Sequence, residues 1–250
     1  MSGHSKWSSI KHKKGAADAK RGKLFSKLSR AIIVAAREGG ADPEGNATLA
    51  TAIQKARDNS MPKDNIERAI ARGAGTSSDG EAYEHITYEG YGPSGVALFV
   101  EALTDNRNRT ASDVRHIFTK NDGSLGESGS VAWLFERKGV ILVAESVDED
   151  ELTLAAAEGG AEDVLREGSS FEVISAPDDL QAVRQALGAA GIAYESADLT
   201  MLPKTTVAIE DETSAKKLLR LLDALEENDD VQDVYANFDI PERVLETMTA

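Results

Sequence analysis

The chain has 250 residues, of which 41% are hydrophobic and 28% are charged, proportions typical of a folded globular protein and not of a disordered one. It contains no cysteine, which excludes disulfide bonds and thiolate metal sites and fits a reducing cytoplasm. No apolar run approaches the roughly 20 residues that cross a bilayer, and the basic N-terminus leads into no apolar signal segment. We therefore expect a cytoplasmic protein without a membrane partner.

The net charge of −15 is distributed unevenly along the chain. Residues 1–75, called the head here, carry fifteen basic and seven acidic side chains, a net charge of +8. Residues 76–250, called the body, carry thirteen basic and thirty-six acidic side chains, a net charge of −23. A cationic head on an anionic body predicts a polyanionic partner for the head.

The head is predicted to form three short helices. Apolar residues recur at three- and four-residue steps over residues 18–38, as on one face of a helix, and glycines follow. A second helix is expected over residues 46–59. Ser60 is the predicted N-cap of a third helix, which has Pro62 in its first turn and ends at Gly73. Together the three helices can bury one modest core.

Strands and helices alternate in the body. Residues 137–203 have the order βαββαβ, the split βαβ arrangement of ferredoxin-like folds. The last strand–helix–strand unit is too short to bury its own faces, so we expect it to pair with the first part of the body. The predicted fold class is α+β and multidomain, with a three-helix domain followed by two ferredoxin-like α/β domains, one inserted in the other. The predicted boundaries are 1–75 for the head, 81–136 plus 204–250 for a discontinuous middle domain, and 137–203 for the insertion.

Three local features of the body are also predicted. Thr110 or Asn108 is expected to cap a helix that ends near Lys120. The glycine-rich stretch 122–129 is typical of a mobile loop, and a strand is expected over residues 130–136.

No enzyme motif is complete. The stretch Gly126–Ser130 has the wrong spacing for a lipase-type nucleophile elbow, and Gly75–Gly80 approaches a phosphate-binding loop but is followed by Glu81 instead of lysine. The four histidines have no metal-ligand spacing. We therefore predict no catalytic residue, no bound metal and no cofactor.

The basic residues of the head form the candidate nucleic-acid site. Lysines suit a phosphate backbone because each neutralised phosphate releases condensed counterions, and a lone indole can stack on a base or wedge into a groove. A solvated basic face, with the tryptophan in the core, is the alternative. The predicted contacts are Lys6, Trp7, Lys11, His12, Lys13, Lys14, Lys20, Arg21, Lys23, Lys27 and Arg30.

A second candidate anion contact lies where a strand leads into a helix of the body. It comprises Asn106, Arg107, Arg109 and Arg115. In an acidic domain, salt bridges within the molecule are the competing interpretation of these arginines.

Two long segments of the chain carry a recognisable pattern. They read GHSKWSSIKHKKGAADAKRGKLFSKLSRAI at residues 3–32 and TDNRNRTASDVRHIFTKNDGSLGESGSVAWLFE at residues 104–136. These segments, together with residues 61–75 and the stretch YEGYGPSGVAL, resemble signatures of the YebC/PmpR family. The chain departs from the pattern at Asn121-Asp122-Gly123, where a glycine pair is expected. The resemblance implies a three-helix head with two α/β domains, and it assigns the basic head residues to nucleic-acid binding.

The resemblance leaves two nucleic-acid targets open. The predicted function is a non-enzymatic regulator of gene expression that binds duplex DNA through its head. The alternative is a translation factor that binds ribosomal RNA and activates translation or relieves stalling. In either case the acidic body would offer a surface to ribosomal or transcription proteins. A third hypothesis is a protein scaffold whose basic head docks on an acidic partner.

Overall fold

The computed structural model describes residues 18–75, 83–168, 170–241 and 243–244. None of the helices in these ranges is long and apolar enough to cross a membrane.

Three helices form the described part of the head. They are α1 (Asp18–Gly39), α2 (Ala47–Asp58) and α3 (Lys63–Gly73). Their apolar faces enclose one core that includes Leu28, Ile32, Leu49 and Ile66. This agrees with the periodicity of the sequence, because residues three and four apart share a helix face.

Asn46 joins the end of α1 to the start of α2. Its side-chain oxygen accepts from the backbone N–H of Leu49 at 3.0 Å, and its amide nitrogen donates to the carbonyls of Ala35 and Gly40 at 2.7 and 2.8 Å. A Cβ at Gly39 would lie 2.6 Å from this amide. Glycine at the end of α1 is therefore required by the close approach of Asn46.

The start of α3 differs from the prediction. Ser60 is not its N-cap: its φ is 59°, and its N–H donates to the carbonyl of Arg57 at 2.8 Å in the turn that follows α2. The helix begins at Lys63, and Pro62 occupies the N-cap position without a side-chain hydrogen bond. The prediction was wrong because the turn needs a left-handed residue at position 60.

The first sheet of the body has the strand order β3-β1-β2-β9. Its strands are β1 (Glu84–Tyr91), β2 (Ala97–Thr104), β3 (Ser124–Leu125) and β9 (Val231–Ala236). Helices α4 (Arg107–Lys120) and α7 (Glu212–Glu226) contribute Phe118 and Leu218 to a core with Leu98 and Val234 of the sheet. The antiparallel pairing of β9 with β2 places a strand near residue 235 beside a strand near residue 100.

The second sheet has the strand order β5-β6-β4-β7, and all its neighbouring strands are antiparallel. This is the order of a ferredoxin-like βαββαβ unit. Its elements are β4 (Phe135–Ala144), α5 (Glu149–Glu158), β5 (Ala161–Glu167), β6 (Ser170–Ser175), α6 (Leu180–Ala189) and β7 (Ser196–Pro203). Leu152 and Val183 from the two helices pack on Ile141 and Phe171 of the sheet.

A short parallel pair, β8 (Val207–Ala208) and β10 (Phe238–Asp239), completes the described strands. The predicted α+β multidomain fold class is confirmed by this arrangement of helices followed by antiparallel sheets. The exact domain boundaries stay a prediction.

The glycine-rich loop before β4 is anchored by Glu89 of β1, which is 4% exposed. The carboxylate accepts from the backbone N–H groups of Gly129, Val131 and Ala132 at 2.6, 2.7 and 2.7 Å. Burial alone would raise the pKa of Glu89, but these three amides outweigh it and hold the pKa below its ordinary value. Within the strand predicted over residues 130–136, Ala132–Leu134 form a 3-10 turn where Glu89 holds the backbone, and only Phe135 and Glu136 belong to a strand, β4.

Replacing Glu89 with Gln removes the charge that holds three backbone amides. We expect the free energy of unfolding in urea to fall by about 1–3 kcal/mol, and amide exchange at Val131 and Ala132 to accelerate. Glu127→Gln, an exposed change in the same loop, is the control. Equal stability of the two variants would show that the loop does not depend on Glu89.

Candidate nucleic-acid interface

Four of the eleven predicted head contacts have described side chains. Lys6, Trp7, Lys11, His12, Lys13 and Lys14 lie outside the described residues, as does the side chain of Lys20. Arg21, Lys23, Lys27 and Arg30 all lie on α1. Their surroundings divide them into two groups.

Three of these cations face the body. The ammonium of Lys23 donates to the carbonyl of Glu227 at 2.9 Å, and that of Lys27 donates to the carbonyl of Glu226 at 2.6 Å. The Arg30 guanidinium donates to the carbonyl of Asp229 at 2.6 Å and to the carboxylate of Asp230 at 3.0 Å. The basic stripe of α1 therefore lies against one acidic segment of the body, residues 226–230, called the acidic corner here.

The acidic corner is strongly negative for two independent reasons. It begins at the last residue of α7, and the carbonyls at a helix C-terminus, which have no partners within the helix ladder, give that end a partial negative charge. Four of its five residues are also acidic: Glu226, Glu227, Asp229 and Asp230. Acidic side chains at a helix C-terminus are unfavourable unless cations offset them, and the stripe of α1 supplies those cations.

Asp230 is the centre of these contacts, with a side chain that is 7% exposed. Besides Arg30, it accepts from Arg109 at 2.9 Å and from the hydroxyl of Thr110 at 2.7 Å. Burial alone would raise the pKa of Asp230, but the hydrogen bonds from Arg109 and Thr110 and the charges of Arg109 and Arg30 outweigh it and lower the pKa. One carboxylate thus joins the head to two parts of the body.

The second candidate anion contact takes part in the same network. Asn106 caps α4 by accepting from the N–H of Arg109 at 3.1 Å, so the prediction of Thr110 or Asn108 as the cap was wrong. Thr110 is instead buried, and its hydroxyl donates a hydrogen bond to Asp230. Asn108 lies within the helix.

The arginines of that candidate are mostly in ion pairs within the body. Arg109 binds Asp105 at 2.7 Å as well as Asp230, and the Arg107 Nε lies 3.6 Å from a carboxylate oxygen of Glu84. Arg115 is exposed on α4. Binding of an external anion by these residues stays a prediction.

Helix α2 makes a second charged contact with the body. Lys55 lies 3.3 Å from Asp233, and Asp58 lies 3.9 Å from Arg184 of the second sheet's domain. The carboxylate of Asp233 is the main cause of a raised pKa at Lys55; burial opposes it, and Asp198 and Glu101 add to the increase. Ion pairs from both α1 and α2 therefore link the head to the body.

Other cations of the head point elsewhere. Arg21 is exposed and lies 5.6 Å from the centre of the Phe25 ring, two residues before Lys23 and so on the opposite side of α1. Arg68 and Arg72 of α3 border an open depression of about 450 Å³, which Ser29 and Asn65 also line. Within the described residues, no hydrogen bond or ion pair links Arg21 or Arg72 to the body. Their charges are available to an external anion.

The sequence reasoning did not identify Asp230 or the acidic corner. A signal was present, because an acidic run at the end of a predicted helix is electrostatically unfavourable and requires cations from another part of the chain. Among the described residues, no group of three or more histidine, aspartate and glutamate side chains is placed to hold a metal ion.

Comparison with known proteins assigns both the head and the body to one family. Residues 5–76 match the family model described as the TACO1/YebC protein N-terminal domain, and residues 83–238 match the model of the TACO1/YebC second and third domain. The chain belongs to the TACO1/YebC family, which confirms the resemblance seen in the sequence.

The relatives are named for regulation. A protein from Rubrobacter xylanophilus is 65% identical over 98% of both chains, and one from Halothermothrix orenii is 56% identical over 100% of this chain and 99% of its own. Both are called "Probable transcriptional regulatory protein". A crystal structure of a conserved hypothetical protein from Aquifex aeolicus is 54% identical, with a TM-score of 0.80, and the match covers 90% of this chain and 93% of that one.

Replacing Asp230 with Asn tests the joint between head and body. We expect the free energy of unfolding at pH 7 to fall by about 2–3 kcal/mol, because the buried Thr110 hydroxyl and the guanidinium groups of Arg30 and Arg109 lose their charged acceptor. Asp229→Asn, at a side chain that is 68% exposed, is the control and should change stability little.

The difference between the wild type and Asp230→Asn should depend on pH. Because the pKa of Asp230 is lower in the folded protein than its ordinary value of 3.8, the ionised carboxylate stabilises the fold. The difference in the free energy of unfolding between the two proteins is therefore complete above pH 3.8 and shrinks as the pH falls through the lowered pKa. Urea titrations between pH 7 and pH 2 measure it. A difference that is constant in acid would contradict the ionised state assigned to Asp230.

Proposed function

We propose that the protein is a non-enzymatic regulator of gene expression that binds nucleic acid, and duplex DNA first of all, through its basic head. The observation that carries this proposal is the opposite charge of the two parts, +8 over residues 1–75 and −23 over residues 76–250. Membership in a family whose relatives are named as transcriptional regulators supports it.

The described head supports phosphate binding by its geometry. Arg21 and Arg72 are both exposed, and among the described residues no hydrogen bond or ion pair links either of them to the body. Guanidinium groups suit phosphate oxygens because several N–H donors lie in one plane. The segment before α1 adds four lysines and no acidic residue to this positive charge.

The acidic body has a complementary role in this proposal. Its charge repels phosphate chains, so only the head approaches the polyanion and the molecule does not coat nucleic acid indiscriminately. The same charge attracts basic surfaces of ribosomal or transcription proteins. Binding by phosphate contacts alone is weakly selective for base sequence, so partners of the body would contribute to target choice.

The salt dependence of binding to a short DNA duplex tests the proposal. With roughly six to eight phosphate contacts, the logarithm of the affinity should fall against the logarithm of salt concentration with a slope of about −5 to −7. The variant Lys11→Glu/Lys13→Glu/Lys14→Glu should bind about 100-fold more weakly and with a shallower slope.

A charge-matched variant of the body, Lys204→Glu/Lys216→Glu/Lys217→Glu, is the control and should retain binding. Equal losses in both triple variants would show that net charge, and not the head, determines binding. No binding of the wild type to duplex DNA or to folded RNA at low salt would refute the proposal. A folded ribosomal RNA fragment in parallel shows which nucleic acid is preferred.

A further inference from the structure

Part of the proposed nucleic-acid site is already occupied by the protein itself. Lys23, Lys27 and Arg30 recur along α1 at steps of four and three residues, so they lie about one helical turn apart on one face. Each of them donates to an oxygen of the acidic corner at 2.6–3.0 Å. A row of oxygen acceptors with negative charge is the pattern that a phosphate chain would present to the same stripe.

The contact between α1 and the acidic corner is weak at its exposed edge, where Lys23 lies. The side chains of Lys23 and Asp229 are 51% and 68% exposed, and their nearest charged atoms are 3.9 Å apart. An exposed pair of this kind contributes roughly 0–1 kcal/mol and is screened by salt. The carbonyls of Glu227 and Glu226 that accept from Lys23 and Lys27 lie at the end of α7, where water can satisfy them when the lysines leave.

The inner part is held more firmly. Arg30 is 22% exposed and its partner Asp230 is 7% exposed, so separating them would uncover a carboxylate that still has Arg109 and Thr110 as donors. Because those two donors remain, Asp230 would not be left without partners. The contact can therefore open from Lys23 toward Arg30 while the body stays folded.

We propose that the acidic corner is an internal competitor for nucleic acid, which occupies Lys23, Lys27 and Arg30 until a phosphate chain displaces it. This inference rests on the proposed function of the head. The first contact with nucleic acid is therefore made by the cations of the head that the body does not cover. A high local concentration of phosphate releases the stripe, so the head gains three further contacts and separates from the corner.

Reversing the charge of the corner tests the competition. In Glu227→Lys/Asp229→Lys both positions are exposed, and cations are favourable at the C-terminal end of α7, so the change is compatible with folding. The new lysines repel Lys23 and Arg30. We expect about a tenfold tighter binding of a 20-base-pair duplex than that of the charge-matched control Glu158→Lys/Glu195→Lys, which changes two exposed acidic residues away from the corner.

Equal affinity of these two variants would overturn the competition, because the gain would then come from net charge alone. Urea unfolding of both variants accompanies the binding measurement.

Spin labels measure the displacement directly, and they cover the case in which the charge reversal disturbs folding. The chain has no cysteine, so Thr51→Cys on α2 and Arg220→Cys on α7 supply the only two labelling positions. Both side chains are exposed. We expect one short distance in the free protein and an additional, longer distance at saturating duplex.

The outcomes distinguish the two proposals. If the duplex binds and the distance stays unchanged, the internal competitor is refuted and the nucleic-acid function stands. If neither the wild type nor Glu227→Lys/Asp229→Lys binds, the proposed function fails and the competitor fails with it.

Discussion

The ion pairs at Asp230 hold together parts of the chain that are far apart in sequence. Arg30 reaches this carboxylate from the head, and Arg109 and Thr110 reach it from the first part of the body. Asp230 itself follows α7, near the end of the described chain. Arg30 of the head and the first turn of α4 therefore meet at this one buried carboxylate. Its donors keep it ionised, and the ionised form is the one that can bind two arginines at once.

Because of this arrangement, the positive charge that the head can offer to a partner is smaller than its net charge. The head carries a net charge of +8, but Lys23, Lys27, Arg30 and Lys55 are directed at carbonyls and carboxylates of the body. Arg21 and Arg72 remain on other surfaces. The net charge of a segment is thus a guide to the class of its partner, whereas the contacts of each cation determine which face of the segment can meet that partner.

The fold was largely predictable where it depends on local pattern. The first helix was expected over residues 18–38 and is observed at Asp18–Gly39, because its apolar residues repeat with the period of a helix. The errors lie where distant groups determine local structure. Thr110 was expected as a helix cap, but Asp230, 120 residues away in the sequence, binds its hydroxyl. Of the strand expected over residues 130–136, only Phe135 and Glu136 are in a strand, because Glu89 holds the preceding amides in a turn.

The sequence by itself determined the types of the elements, the charge difference between head and body, and the family. These properties depend on composition, on periodicity and on the order of residues within short segments. Only the tertiary structure decided which basic residues face the body and which face solvent. The period of a helix fixes the angle between Lys23 and Arg21 around its axis, but it does not specify what packs on either side. The acidic corner at the end of α7 determines which side of α1 faces the body, because residues 226–230 are negative and contain no basic residue of their own.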